Sequence, residues 1–299
     1  IIPHVPCWLS TPDKDTSGLI VTRNTLIEID YRSSNFNIKT IPHTRSLFTL
    51  SHLPYDYDSS AECSEWHNFL ISLWGENSDN ALLLQEWFGY CLINNYDFQK
   101  IMLIIGKSRG GKGVIGRMEG KLVGEDNSCA FSFSNFIEDF GLSEMLNKRV
   151  AVFGDVQTVS KAYRDKAKGI LLSISGYDKQ SINQKYKQIK TRHIEARMTL
   201  LANGMPTFID NSGALANRLL VLPITKSFAG NENTNLEKDK LIPELPGILN
   251  WSLEGLERLM RVGKFTKNID GEKLLQEIRQ TTNPVGTFLE HCCEYPYSG

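Results

Sequence analysis

Long apolar runs are missing from this sequence. The strongest, Ile101 to Ile105, has the length of a buried strand and falls far short of a bilayer span. No charged-then-apolar leader is visible either, so no membrane partner is expected. C-x-x-C pairs are missing too. The six cysteines, Cys7, Cys63, Cys91, Cys129, Cys292 and Cys293, are scattered, which reads as reduced, mostly buried thiols of an intracellular protein. His291-Cys292-Cys293 is the one cluster of metal-ligand types, and adjacent cysteines fit zinc spacing poorly. Neither sign of charge is in excess: 33 Lys and Arg face 34 Asp and Glu, for a formal net charge of −1. That balance excludes a histone-like binder and an acidic solvating tail, and leaves room for a local basic patch. Internal repeats and low-complexity tracts are also lacking.

What is present is 299 residues, 41% of them hydrophobic. That length suggests about two domains, or one with appendages. It suffices to bury roughly three-quarters of the unfolded surface. The chain opens on Ile1 rather than Met, and is expected to be a segment of a longer polypeptide. Residues 1–58 are rich in Pro, Ser, Thr and Asp, with alternating stretches such as Leu26-Ile27-Glu28-Ile29-Asp30 that read as hairpin pieces. Trp66, Phe69, Leu70, Leu73 and Trp74 then fall at helical spacing, a stripe that reads as packing. A second helix is predicted from about Asp79, as N-cap, through Leu83, Trp87 and Cys91.

From there the pattern changes. Strand-like runs at 101–105, 150–153, 198–201 and 219–222 alternate with helical or irregular segments, which implies a mostly parallel sheet in an α/β layer architecture. Beyond about residue 230 the pattern is helical. Leu249, Leu253, Leu256 and Met260 share a face, Gly263 is placed to end that helix, and Asn283-Pro284 reads as the start of a last one. The expected organisation is an accessory region over 1–96, a core over 97–230 and a helical C-terminal segment over 231–299.

The sharpest feature is Gly106-Lys107-Ser108-Arg109-Gly110-Gly111-Lys112-Gly113-Val114, lying between a buried strand and an amphipathic helix. This is G-x-x-x-x-G-K, whose glycines let backbone N–H groups wrap phosphates while the lysine reaches the terminal ones. The hydroxyl that usually follows, a ligand for Mg²⁺, is lacking at Gly113 and again at Val114. An acid is expected at the end of a neighbouring strand. Asp155 fills that place, able to orient Mg²⁺ or to accept a proton from the attacking water. Asn203 ends another strand, where an amide can position that water. Arg218, just before the next strand, is the candidate arginine finger. Between Asp178 and Arg192 stand Lys179, Lys185, Lys187 and Lys190 with Tyr186 among them, a basic hairpin or loop suited to a phosphate backbone and a stacked base.

The order of these motifs resembles the superfamily III helicase module of phage and plasmid primase–helicases. The likeness also takes in Leu53-Pro54-Tyr55-Asp56-Tyr57-Asp58, Leu84-Gln85-Glu86-Trp87-Phe88-Gly89-Tyr90, Leu171-Leu172-Ser173-Ile174-Ser175-Gly176 and Ser212-Gly213-Ala214-Leu215-Ala216-Asn217-Arg218. It implies an AAA+-like P-loop ATPase core that forms a hexameric ring on single-stranded DNA, with ATP and Mg²⁺ between subunits. By that resemblance Lys112 binds phosphate, Asp155 is the acid of the second motif, Asn203 is the polar sensor and Arg218 reaches a neighbour's ATP. Lys185 and Lys187 would grip DNA. The implied activity is an ATP-dependent DNA helicase or translocase for replication of a mobile element, in the cytoplasm of a bacterial or phage-infected cell, with room for a primase domain or partner upstream. Gly113-Val114 and Tyr177, where the family commonly has a hydroxyl and an acid, depart from the pattern. The competing reading is a scaffold that holds nucleotide without turning it over. A nucleotide kinase shares the G-K-G loop and has no need of the basic segment.

Overall fold

The computed structural model describes residues 17–32, 36–44, 47, 49, 51–138, 140–156, 161–183, 189–206 and 213–282. The N-terminal part begins with strands β1 (Leu19–Val21), β2 (Leu26–Asp30) and β3 (Asn37–Ile41), an antiparallel meander in which Ile20 faces Ile27 and Ile29 faces Ile38. Its first turn is closed by Thr22, whose hydroxyl donates to the Thr25 carbonyl at 2.8 Å. Asn24 then exchanges hydrogen bonds with the Tyr57 backbone, both at 2.9 Å. That seats the Leu53–Asp58 stretch, and Tyr55 from it donates to the Leu122 carbonyl at 2.6 Å.

Helices α1 (Ser64–Trp74) and α2 (Asp79–Leu92) follow. The predicted Trp stripe is core: Trp66 lies 5.6 Å from Phe88 in a stacked pair and 5.7 Å from Trp251 edge-on. Such pairs add to the roughly 1.5–3 kcal/mol that each large buried side chain contributes. The cap of α2 is Ser78 and not Asp79. Ser78 has the extended backbone a cap needs, and its hydroxyl accepts from the Asn80 N–H at 3.2 Å. Asp79 stands one residue inside, where its charge still favours the helix dipole.

The rest of the chain supplies β4 (Ile101–Gly106), α3 (Lys112–Val123), β5 (Ser128–Ser132), α4 (Phe133–Ile137), β6 (Val150–Gly154), α5 (Lys161–Ser175), β7 (Gln180–Ile182), β8 (Lys190–Arg192), β9 (Arg197–Ala202), β10 (Leu219–Ile224), α6 (Leu245–Val262) and α7 (Ile269–Thr282). Strands β4, β5, β6, β9 and β10 form one parallel sheet in the order β10-β4-β9-β6-β5. The expected α/β class with a parallel core and a helical C-terminal segment is therefore what the chain adopts. Strand β5 is the addition that the sequence pattern does not announce. Helix α6 ends at Gly263 as expected, with a left-handed φ of 73° and its N–H on the Leu259 carbonyl at 2.8 Å. The helix expected from Asn283-Pro284 lies outside the described residues.

Two apolar clusters cover the two faces of the sheet. One joins α1, α2, α3 and α6 to Met102, Ile104, Val152 and Leu222. The other packs α4 and α5 on Ile101, Leu103, Phe153 and Leu200. Alternate residues of each strand thus enter opposite cores, which is why these runs read as continuously apolar. No described helix is long and apolar enough to cross a membrane.

Candidate functional site

Parallel strands place all their C-terminal ends along one rim, and there the loops after β4, β6 and β9 converge. The loop from Gly106 into α3 is shaped by close approach. A side chain on Gly110 would meet the Lys226 carbonyl at 2.8 Å, and Gly111 holds a φ of +92° as it starts the helix. Lys112 folds back over this loop. Its Nζ donates to the carbonyls of Gly106 and Lys107, each at 2.7 Å, and to Asn203 Oδ1 at 3.0 Å. Asn203 Nδ2 in turn donates to Asp155 Oδ1 at 3.0 Å. The amide can face only this way, since its oxygen must meet a cation and its nitrogen a carboxylate. Burial lowers the Lys112 pKa, and the Asp155 charge opposes that shift. Lys112, Asn203 and Asp155 therefore form a connected row at the rim, contributed by α3, β9 and β6.

A cavity of about 620 Å³ opens beside this row, lined by Ser108 to Gly113, Arg117, Lys121, Asp155 and Asn203 among others. A second, of about 510 Å³, lies on the other side of Gly111 and Gly113, walled by Asn68, Phe69, Phe228, Asn231, Asn233 and Leu236. The segment after β10 straps across the loop. The Phe228 N–H donates to the Arg109 carbonyl at 3.0 Å, and the Ser227 hydroxyl to the Ser108 carbonyl at 3.2 Å. Arg109, at a φ of +58°, forms an ion pair with Glu232, and Arg117 Nε pairs with Glu237 at 2.6 Å. Arg117, Glu232 and Glu237 are functional candidates that the motif does not mark. The available signal is spacing: Arg117 follows Gly113 by one helical turn, on the same face.

The residues fit a magnesium ion on one side only. Asp155 offers a carboxylate at the rim. Across the cleft, the hydroxyl position is Gly113, and a Cβ built there would stand 3.0 Å from Arg117 Nη1. Val114 packs against the apolar core. A guanidinium thus occupies the neighbourhood where a hydroxyl ligand would project, and a dication there would meet like charge. Among the described residues, no cluster of three or more His, Cys, Asp or Glu is placed to hold a metal.

Arg218 is not brought to this row. It precedes β10, at the opposite rim, where its Nη1 donates to the Leu172 carbonyl at 2.5 Å and the Ser175 hydroxyl at 2.9 Å, holding the C-terminal turn of α5. The basic segment is a hairpin at that same rim. Strands β7 and β8 pair antiparallel, Lys179, Lys190 and Arg192 are exposed, and Lys185, Tyr186 and Lys187 lie outside the described residues. Its base is anchored by a column of flat groups. Arg197 lies 4.1 Å from the ring centres of both Tyr90 and Tyr96. Tyr96 stacks on Tyr177 at 3.8 Å, and Tyr177 on His193 at 4.3 Å. Tyr177, the position that departs from the acid of the resemblance, is thus a stacking residue at a φ of +61°.

A family of unknown function, DUF5906, matches residues 104–218. Among solved structures, the apo structure of the NrS-1 C-terminal region (305-718) superimposes with a TM-score of 0.60 at 14% identity, covering 95% of this chain and 77% of that one. The A form apo structure of the same region gives a TM-score of 0.57 at 14% identity, over 93% and 74% of the two chains. This chain shares their fold. A JCV helicase aligns with a TM-score of only 0.33.

Proposed function

We propose that this chain is the motor module of an ATP-dependent DNA helicase or translocase, acting as a ring in the replication of a phage- or plasmid-like element. The observation that carries the reading is the row Lys112–Asn203–Asp155 at the mouth of a glycine-bounded cradle. Lys112 exchanges its two loop carbonyls for the terminal phosphates of ATP, which gives a buried cation a stronger partner than a peptide oxygen. Asn203 then keeps a water in line, and Asp155 accepts its proton. Asp155 is the residue that would hold magnesium, directly or through water, where the ion would offset charge on the triphosphate. The second cavity, with its amides and its Phe69 and Phe228 walls, takes the base. Arg218 acts across a subunit boundary, and the hairpin from Lys179 to Arg192 carries Lys185, Lys187 and Lys190 to single-stranded DNA. The accessory region 1–96, core 97–230 and C-terminal segment 231–299 support this motor together.

Phosphate release from ATP, with and without single-stranded DNA, tests the reading. DNA-stimulated release by the wild type, abolished in Lys112→Ala, is the expected result. A protein that oligomerises and releases no phosphate at any magnesium concentration would exclude turnover. That outcome would favour the second reading, a nucleotide-held DNA scaffold, to which the hydroxyl-free loop gives a specific motive. For the hairpin, Lys185→Ala with Lys187→Ala is expected to weaken DNA binding and flatten its salt dependence by about two ions' worth of slope.

A further inference from the structure

We propose that Arg117 is a phosphate-binding residue that supplies from the protein the positive charge which P-loops ordinarily take from a hydroxyl-held magnesium ion, so that this site binds nucleotide without magnesium. The inference rests on the nucleotide reading above. Its own basis is the coincidence of three features at one point. The loop has no hydroxyl at Gly113 or Val114. The space outside Gly113 is where Arg117 Nη1 stands, 3.0 Å from the place of a Cβ. Arg117 borders both the cavity over the glycine-rich loop and the one beside it.

The geometry also explains how that charge is held. Glu237, 18% exposed at its side chain, takes Nε of the 59% exposed Arg117 at 2.6 Å, which orients the planar group while Nη1 stands beside Gly113. A guanidinium stays charged at any working pH and matches phosphate oxygens with parallel N–H donors. A serine or threonine at 113 would crowd it and push the guanidinium aside by a few tenths of an ångström. The missing hydroxyl and the arginine are therefore two halves of one arrangement: the small residue makes the room, and the cation one turn later fills it. Turnover is a separate matter, since Asp155 still faces the cleft and magnesium can arrive with the triphosphate.

The experiment is calorimetric titration of ATP into the protein in excess magnesium and in excess EDTA. Wild type is expected to bind with affinities within about threefold of each other in the two buffers. Arg117→Ala is expected to lose about tenfold or more in EDTA and to recover most of that loss in magnesium, because one charge-assisted contact is removed. Gly113→Ser, which nudges the guanidinium aside and restores a hydroxyl, is expected to gain affinity from magnesium that wild type does not, and it reports on the same point while keeping the Arg117–Glu237 pair. Wild-type binding that collapses in EDTA, an Arg117→Ala loss that is equal in both buffers, or a Gly113→Ser indifferent to magnesium would each overturn the inference. Tight magnesium-dependent binding by wild type would leave the nucleotide reading standing while refuting this one. No binding in either buffer would remove both.

Discussion

Glu119 sits on α3, the helix that follows the glycine-rich loop, and is wholly buried. One of its oxygens accepts from Trp87, Thr199 and Cys91 at 2.9, 2.8 and 3.4 Å, while the other has no partner. Burial pushes its pKa from 4.5 up to about 7, against those three donors, which pull it down. The folded chain therefore holds this proton more tightly than the unfolded chain. Its contribution is greatest below the unfolded value, declines as pH rises toward about 7, and costs roughly 3 kcal/mol once both states are ionised. Glu119→Gln keeps the acceptor oxygen and removes the titration. Urea unfolding is expected to show wild type losing stability between about pH 5 and about pH 8 and the variant losing much less. Parallel slopes would mean that Glu119 does not carry the effect. At this scale the sequence was legible where the backbone dictates position. Lys112, Asp155 and Asn203 follow strand ends, and their meeting follows from a parallel sheet. Arg117 was not legible, because its meaning comes from a side chain reaching back one turn over a glycine.

Helix α1 shows how an element can be plain in sequence while its support is hidden. The apolar spacing of Trp66, Phe69, Leu70 and Leu73 is enough to predict it. Its N-cap is Cys63, which makes no side-chain cap bond. The exposed helix donors are taken by Glu244 instead, whose two oxygens accept the N–H groups of Glu65 and Trp66 at 2.9 Å each, from 179 and 178 residues away. A carboxylate at that end also suits the helix dipole. Glu244→Ala is expected to cost about 1 kcal/mol, as loss of a cap does, read as a lower Tm with the fold retained. An unchanged Tm would show the cap to be dispensable. No local pattern could announce so distant a cap. Strand β5 has no such signal either: Ser128-Cys129-Ala130-Phe131-Ser132 lacks the apolar run that marks the other four strands of its sheet, the opposite edge strand β10 included.

For the molecule as a whole, alternating strands imply a parallel sheet, but the strand order is a product of folding that periodicity does not encode. That order decides how the candidate site is assembled. It puts Asn203 between Lys112 and Asp155, and it leaves Arg218 and the basic hairpin at the far rim. In the proposed ring, an arginine at the far rim would serve a neighbour's cradle and not its own. Mixing Arg218→Ala with Lys112→Ala, each inactive alone, is therefore expected to recover ATPase activity, because mixed neighbours unite an intact cradle with an intact finger. If Arg218 merely holds the end of α5, the mixture stays inactive.

The same strand order has a consequence in time. β4 is made early, yet both of its neighbours, β9 and β10, come from residues 197–202 and 219–224. Synthesis at ~5–20 residues per second leaves the ribosome-borne β4 without a partner for roughly 5–20 seconds. Until then the Ile101–Ile105 run depends on α3 and the earlier helices for cover from water. The glycine-rich loop is made well before β9, but Asn203 reaches Lys112 only when β9 slots in beside β4. A ligand that needs both can stabilise the finished sheet and nothing before it, so the nascent chain must fold without help from whatever its site binds.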